Sequence, residues 1–200
     1  MHAMNTQQLN ELILQSLEHE RGGVKIYKKA VECAVREDLR REWQKYLSQT
    51  EEHVVALTSV CKVFAIDPFT KTPGTQIVKA LGASLVEAMQ TALSAGNPAA
   101  AQIVAAECVV LAETKDHLDW ELLGQAAKQL SGDAHDALTM AYEKIENEED
   151  EHLYHTQGWC RELWLESLGI DAELPPAEEK RDVNTAAEAQ RAKETRQPRH

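Results

Sequence analysis

The chain has 200 residues, 43% of them hydrophobic, and a formal net charge of −12. This length and apolar content suit one domain with a substantial core. The acidic balance, without any cluster of Lys or Arg, argues against a nucleic-acid partner. No stretch reaches membrane-spanning length and the N-terminus MHAMNTQQ lacks the pattern of a signal peptide, so we expect a cytoplasmic protein with no membrane partner.

Capping residues and helix breakers divide the chain into helices. Asn5 or Thr6 can cap the first helix, and Asp38 can cap the second. Asn97 followed by Pro98 is a typical helix start. The segment IDPFTKTPGT interrupts the helical pattern with proline and glycine and predicts a loop. The predicted helices cover about residues 6–35, 38–64, 75–95, 98–130 and 133–168.

Four of these helices are long, and the connection in the middle of the chain carries the shorter 75–95 helix. Short turns join the long helices on either side of that connection. This plan predicts an all-α protein, an antiparallel four-helix bundle with one long crossover, which is the ferritin-like connectivity. We assign the bundle to residues 5–170. Residues 171–200 carry very few large hydrophobic side chains and predict a disordered or loosely helical C-terminal tail.

The apolar face of each long helix carries acids or histidines near mid-length, when successive residues are placed about 100° apart. These intruding polar residues are Glu20, Thr50, His53, Glu113, Asp116, Glu149, His152 and Thr156. Unpaired ionised groups in a core cost several kcal/mol each, so something must compensate them. A pair of cations would do so, because carboxylates bridge metals and the spacing Glu149-x-x-His152 places both side chains on one helix face.

Single residues of this set also have purely structural interpretations. His53 alone is more often a hydrogen-bonded core residue than a ligand, and Glu20 could pair with a lysine from a neighbouring helix. We expect His117 and His155 at the surface or just outside the ligands. The pair Gly22-Gly23 indicates a kink or a close helix contact just past Glu20. Acids and histidines on all four helices together favour metal binding.

The segments YLSQTEEHVVALTSVC, AETKDHLDWELL and IENEEDEH together resemble the YciE/YciF stress-associated group of ferritin-like proteins, and the likeness covers roughly residues 5–168. YLSQTEEHVVALTSVC is similar to the group's T-x-x-H-V pattern in helix two, AETKDHLDWELL to its E-x-x-E/D pattern in helix three, and IENEEDEH to its paired glutamates in helix four. The resemblance implies a di-iron or di-manganese carboxylate site holding one or two Fe or Mn ions, and a role in an oxidative or general stress response. The metal ligands that it implies are Glu20, His53, Glu113, Asp116, Glu149 and His152.

The chain departs from the ferritin-like pattern at Thr50, where helix two typically carries the glutamate of Glu-x-x-His. Without that bridging carboxylate, a single metal or a site rebuilt around Gln49 or Glu52 is an alternative to two metals. The departure favours metal storage or buffering, or a non-catalytic interaction bundle with a degenerate metal site, over an oxidoreductase that reduces peroxide or oxygen. An apolar face left on a helical hairpin would also predict a homodimer.

Overall fold

The computed structural model describes residues 4–171, and these residues contain no strand. The helices are α1 (Thr6–Cys33), α2 (Glu37–Val63), α3 (Pro73–Ser94), α4 (Pro98–Ala127) and α5 (Gly132–Ser167). The all-α prediction is therefore confirmed for the described part of the chain. The predicted tail lies, from residue 172 onward, outside the described residues. None of the described helices is both long and apolar enough to cross a membrane.

Local capping explains where the helices begin. The side chains that cap α1, α3 and α4 belong to Asn5, Thr72 and Asn97. The third helix starts at Pro73 rather than at the predicted Thr75, because Thr72 and Thr75 form a capping box ahead of it. The prediction that Asp38 caps α2 is wrong. This helix starts at Glu37, and the Asp38 carboxylate accepts hydrogen bonds from the Arg36 guanidinium instead.

The four long helices close a ring. Helices α1 and α5 each pack against both α2 and α4. Leu17, in the first half of α1, shares an apolar cluster with Leu57 near the end of α2 and Leu123 near the end of α4. Neighbouring helices in the ring are therefore antiparallel, and α2 runs in the same direction as α4. A chain that passes between parallel helices needs a connection as long as the bundle itself.

Helix α3 supplies that long connection by lying along α1 and α4. The Thr72 hydroxyl at its start donates to Glu11 in the first turns of α1. Near its end, Gln90 accepts a hydrogen bond from Lys29 in the last turns of α1. The predicted placement of this helix between the second and third long helices is confirmed, and α3 returns the chain to the end of the bundle where α4 begins.

Glycine sets the spacing around the middle of α1. A Cβ added at Gly82 of α3 would lie 3.6 Å from the Gly22 Cα, and a Cβ added at Gly23 would lie 3.2 Å from the Thr50 methyl. Just past Glu20, α1 is thus in close contact with both α3 and α2, as predicted. The contact at Gly23 brings α2 close to α1 at the level of Thr50.

A layer of buried polar side chains separates two apolar clusters in the interior. One cluster includes Tyr27, Tyr46 and Trp159, and the other includes Leu17 and Leu57. Between these clusters each long helix contributes at least one buried acid or histidine. The buried polar residues of this layer are Glu20, Thr50, His53, Glu113, Asp116, Glu149, His152 and Thr156. The apolar clusters therefore close the layer off from water at both ends of the bundle.

Candidate metal centre

Four helices contribute ligand-type side chains to the middle of the polar layer. Glu20 comes from α1, His53 from α2, Glu113 from α4, and both Glu149 and His152 from α5. None of these side chains is more than 3% exposed. Because each helix presents its apolar face to the bundle axis, a polar residue on that face is buried.

Glu20, His53 and Glu149 form a first group around a common point. The His53 Nδ1 lies 3.4 Å from Glu20 Oε1 and 3.0 Å from Glu149 Oε1. One oxygen or nitrogen atom from each residue falls within 4.8 Å of the others. Separations of this size suit three ligands arranged around one metal ion, whose bonds to oxygen and nitrogen are about 2.0–2.2 Å long.

A second group consists of Glu113, Glu149 and His152. The His152 Nδ1 lies 3.5 Å from Glu113 Oε2 and 3.5 Å from Glu149 Oε1. Its ligand atoms also fall within 4.8 Å of one another. Glu149 belongs to both groups, so its carboxylate stands between two potential metal positions, as a bridging ligand would.

Contacts with residues outside the two ligand groups orient the imidazoles of His53 and His152. The Nε2 atom of His53 lies 2.8 Å from Glu148 Oε2, and the Nε2 atom of His152 lies 3.1 Å from Gln49 Oε1. When Nε2–H donates to such an acceptor, the lone pair of Nδ1 points inward and can bind a metal. The indole Nε1 of Trp120 similarly donates to Glu20 Oε1 at 2.8 Å. Sequence reasoning missed Glu148; its position next to Glu149 was the only available signal.

Several inward-facing atoms have no hydrogen bond of ordinary geometry to another described residue. They are Oε2 of Glu20, Oδ1 of Asp116 and Oε2 of Glu149. Buried polar atoms are almost always paired, because losing water without a replacement partner is costly. Unpaired carboxylate oxygens buried in one polar layer need positive charge, so the residues present fit a bound cation.

The buried acids hold their protons unusually tightly. Burial is the main cause that raises the pKa of Glu113 to about 8 and the pKa of Glu149 to about 7, and neighbouring carboxylates add to it. Burial also raises the pKa of Asp116 well above its usual range, with further contributions from Glu20 and Glu149. Groups of this kind ionise readily only when positive charge is supplied.

The pKa values of His53 and His152 are shifted in opposite directions. Burial opposes a charge on His53, but the carboxylates of Glu148, Glu149 and Glu20 outweigh burial and raise the pKa of His53 to about 12. Burial dominates at the second imidazole and lowers the pKa of His152 to about 4. A proton on His53 therefore takes the place of a cation among the carboxylates of the first group, while His152 stays neutral and able to act as a ligand.

Asp116 is the one predicted ligand that belongs to neither group. It is 3% exposed, on the same face of α4 as Glu113, and near enough to Glu20 and Glu149 for those carboxylates to raise its pKa. The structure thus brings five of the six predicted residues together and places Asp116 beside them. Its unpaired Oδ1 makes it an additional acid at the edge of the centre.

Helix α2 contributes no carboxylate to either group. The Thr50 hydroxyl donates to the Tyr46 carbonyl, one turn back along its own helix. Glu52 lies at the surface and pairs with Lys144 at 2.8 Å, so a centre rebuilt around Glu52 is wrong. The Gln49 Oε1 accepts from His152 Nε2 on the outside of the centre. Glu149 is consequently the only shared carboxylate among the described residues.

Aromatic rings wall off the second group. The Tyr46 ring centroid lies 4.2 Å from that of His152, and the Tyr27 ring centroid lies 6.0 Å from it. His155 was expected at the surface or just outside the ligands. It is buried, with Nδ1 3.1 Å from the Tyr46 hydroxyl, and so occupies the second of these positions. His117 is partly exposed, with Nδ1 3.3 Å from Asp150 Oδ1. The contact with His155 holds the Tyr46 ring against His152.

Comparison with known proteins adds no family assignment. No protein-family model, curated protein or solved structure matches the chain. What the centre does is therefore inferred from its own geometry and chemistry.

Proposed function

We propose that this chain is a ferritin-like metal-binding protein of the di-metal carboxylate type, with two positions for Fe or Mn that share Glu149. One observation carries the proposal: two buried groups of an acid, a histidine and a common carboxylate, in which Oε2 of Glu20 and Oε2 of Glu149 have no hydrogen-bond partner among the described residues. Clusters of acids are common at surfaces, but a fully buried one is costly unless a cation neutralises it.

Charge and donor type support Fe or Mn. Four buried carboxylates, those of Glu20, Glu113, Asp116 and Glu149, match the charge of two divalent cations. The donors are carboxylate oxygens and imidazole nitrogens, a mixture that suits Fe and Mn, whereas thiolate ligands would favour softer metals. The four cysteines are not in either group.

The order of the helices supports a ferritin-like bundle. The ring of α1, α2, α5 and α4 and the long connection through α3 match the bundle with one crossover in which di-metal carboxylate sites occur. Such sites take an acid from each of two helices and a Glu-x-x-His pair from each of the other two. Here α5 provides Glu149 and His152 as such a pair, and α2 provides only His53.

The chain's own residues determine what the centre can do. Two adjacent Fe or Mn ions, when bound, supply the redox chemistry that can reduce peroxide or oxygen. Glu149 would bind a metal at both positions, His53 and His152 would each bind one of the two metals, and the rings of Tyr27 and Tyr46 exclude water beside the second position. We propose a role in an oxidative or general stress response on this basis.

Thr50 favours a second candidate function, metal storage or buffering without turnover. Carboxylates that shift between bridging and terminal positions accompany redox cycling in two-metal centres, and this chain has one shared carboxylate where the ferritin-like pattern has two. A peroxide-consumption assay of the metal-loaded protein separates the two functions: turnover supports the oxidoreductase, and tight metal binding without turnover supports storage.

Metal content of the purified protein tests the proposal. Tag-free protein from cells supplied with Fe, Mn and Zn is expected to carry about two Fe or Mn ions per chain by plasma mass spectrometry. The double variant Glu149→Ala, His152→Ala should lose them, while the exposed control Glu143→Ala should retain them. Metal near zero in the wild-type protein would overturn the proposal and favour a non-catalytic interaction bundle.

An exposed apolar face on α4 supports a homodimer. Leu111, Leu118 and Leu122 are 62%, 50% and 45% exposed. Their spacing of seven and four residues places them on one side of the helix. A contact between two copies through this face would cover all three side chains. Light scattering coupled to size-exclusion chromatography is expected to give twice the chain mass of 22.4 kDa, and a monomer mass would refute the dimer.

A further inference from the structure

A narrow crevice between α4 and α5 leads to the candidate centre from one side of the bundle. Its cavity volume is about 20 Å³, and it is lined by His117, Trp120, Glu121, Tyr142, Glu146 and Glu149. Glu121 is exposed, Glu146 is half-buried and Glu149 is 1% exposed, so the crevice runs from solvent to the shared carboxylate. A space of this size holds about one water molecule.

The outer part of the crevice is acidic. Glu121 and Glu146 line it together with Glu149, and no Lys or Arg does. The Tyr142 hydroxyl donates to Glu146 and holds that carboxylate at the opening. Burial raises the pKa of Tyr142, and the nearby carboxylates of Glu146, Asp150 and Glu121 raise it further. Clefts lined by one sign of charge concentrate ions of the opposite sign.

The inner end of the crevice presents a buried carboxylate with one unpaired oxygen. Glu149 is 1% exposed; its Oε1 lies 3.0 Å from His53 Nδ1, and its Oε2 has no hydrogen-bond partner among the described residues. The same carboxylate belongs to both ligand groups. Trp120, which also lines the crevice, donates its indole N–H to Glu20 of the first group. The acids Glu121 and Glu146 and the buried Glu149 therefore line one crevice.

We infer that this crevice is the route by which divalent cations reach the centre, with Glu121 and Glu146 capturing the hydrated ion and Glu149 receiving it. The inference rests on the proposed metal-binding function. Because the crevice holds about one water molecule, an ion must lose most of its hydration shell inside it. Carboxylate oxygens at the opening can replace the lost water oxygens as the ion moves inward. The same acids should therefore speed both entry and departure of the ion.

Binding kinetics of Mn²⁺ test the route. Chelator-treated full-length chain is mixed with Mn²⁺ in a stopped-flow instrument, with a fluorescent Mn²⁺ indicator as the readout, and dissociation is followed after adding excess chelator. The double variant Glu121→Gln, Glu146→Gln neutralises the opening without shortening its side chains. The double variant Glu87→Gln, Glu143→Gln changes two exposed glutamates elsewhere and matches the change in net charge.

The crevice variant should bind Mn²⁺ about tenfold more slowly at low salt and release it more slowly by a similar factor, with unchanged stoichiometry. The control should match the wild-type protein. Equal rates in the crevice variant and the control would overturn the route. Slower binding of Mn²⁺ with an unchanged release rate would also overturn it, because that result indicates only a weaker long-range attraction between the protein and the ion. A wild-type protein that binds no Mn²⁺ would overturn both the route and the proposed function.

Discussion

His53 and His152 face each other across one carboxylate. Their ring centroids lie 5.8 Å apart with an interplanar angle of 23°, and both Nδ1 atoms point to the same oxygen of Glu149, at 3.0 and 3.5 Å. The outer nitrogen of each ring contacts a residue outside the centre. Glu149 is therefore within reach of both imidazoles, as the proposal of two metals that share this carboxylate requires.

The substitution Glu149→Gln should weaken metal binding at both positions at once and stabilise the metal-free protein. The amide removes a buried negative charge and can donate to the neighbouring carboxylates, so we expect the free energy of unfolding of the metal-free protein to rise by about 1–3 kcal/mol. Calorimetric titration with Mn²⁺ and urea unfolding measure the two effects. The exposed control Glu143→Gln should change neither. Retention of one tight site in Glu149→Gln would show that the carboxylate is not shared.

The substitution Thr50→Glu should add a second carboxylate to the centre from α2. Thr50 is 2% exposed and shares the inward face of α2 with His53, so a longer acidic side chain there reaches the ligands. We expect the metal-free variant to lose about 2–4 kcal/mol of unfolding free energy, because it buries another charge. Saturating Mn²⁺ should stabilise it more than it stabilises the wild-type protein.

Thr50→Gln is the matched control, since it has the length of glutamate without the charge. Thermal unfolding with and without Mn²⁺ distinguishes the two variants. If Mn²⁺ stabilises Thr50→Glu no more than Thr50→Gln, then the side chain at this position does not reach the metal.

The metal-free protein should become less stable as pH rises from about 6.5 to 8. The pKa values of Glu113 and Glu149 are raised to about 8 and 7, and that of His53 to about 12, so in this range the folded state binds more protons than the unfolded state. Unfolding free energy falls with pH under that condition. The pKa of His152, lowered to about 4, acts in the opposite direction only at and below its ordinary value of 6.5.

With metal bound, the protein should instead become more stable as pH rises over this range. Metal and protons compete for the same atoms, so metal affinity rises with pH. Urea unfolding at both pH values, with chelator or with Mn²⁺, measures the difference. A metal-free protein that gains stability between these pH values would contradict the burial of ionisable acids described here.

The substitution Glu148→Ala should weaken metal binding without removing a ligand. Glu148 lies 2.8 Å from the outer nitrogen of His53 and is partly exposed, so it orients the ring rather than binding the metal. Loss of such a partner typically costs 10–100-fold in metal affinity. Equilibrium titration with Mn²⁺ should show this loss, and Glu143→Ala should show none. Full affinity in Glu148→Ala would mean that packing alone holds the His53 ring.

Replacing Gly22 and Gly124 with alanine should change the stability of the protein in opposite directions. A Cβ at Gly22 would lie 4.0 Å from the Gly82 Cα, an ordinary contact, so Gly22→Ala should stabilise the protein by about 0.5–1 kcal/mol through helix propensity. A Cβ at Gly124 would lie 2.5 Å from the Tyr142 ring, so Gly124→Ala should destabilise it by about 1–3 kcal/mol. Urea unfolding tests both, and a stabilising Gly124→Ala would show that the Tyr142 ring moves freely.

The helices and their inward faces could be predicted from the sequence, because capping and a period of 3.6 residues are local properties. Asn5 and Asn97 cap the helices that they precede, and Glu20 and His53 are buried as their positions on the helices indicate. Asp38 was misassigned as a cap because its carboxylate binds the guanidinium of Arg36.

The grouping of the ligands could not be predicted, since it depends on how far each helix is shifted and rotated against its neighbours. Glu113 and Asp116 both face inward on α4, yet only Glu113 joins a group with His152. The contacts of Glu148 and Gln49 with the imidazoles join α2 and α5 across the bundle, and the spacing of residues along one helix carries no information about them.

Anomalous diffraction from crystals grown with Mn²⁺ tests most directly whether Glu149 is shared by two metals. Data collected at an energy where Mn scatters anomalously locate each ion independently of the protein coordinates. We predict two peaks about 3.5–4 Å apart, one beside Glu20 and His53 and the other beside Glu113 and His152, both bonded to Glu149. The absence of a peak among these five side chains, or a single peak that does not touch Glu149, would contradict the proposed centre.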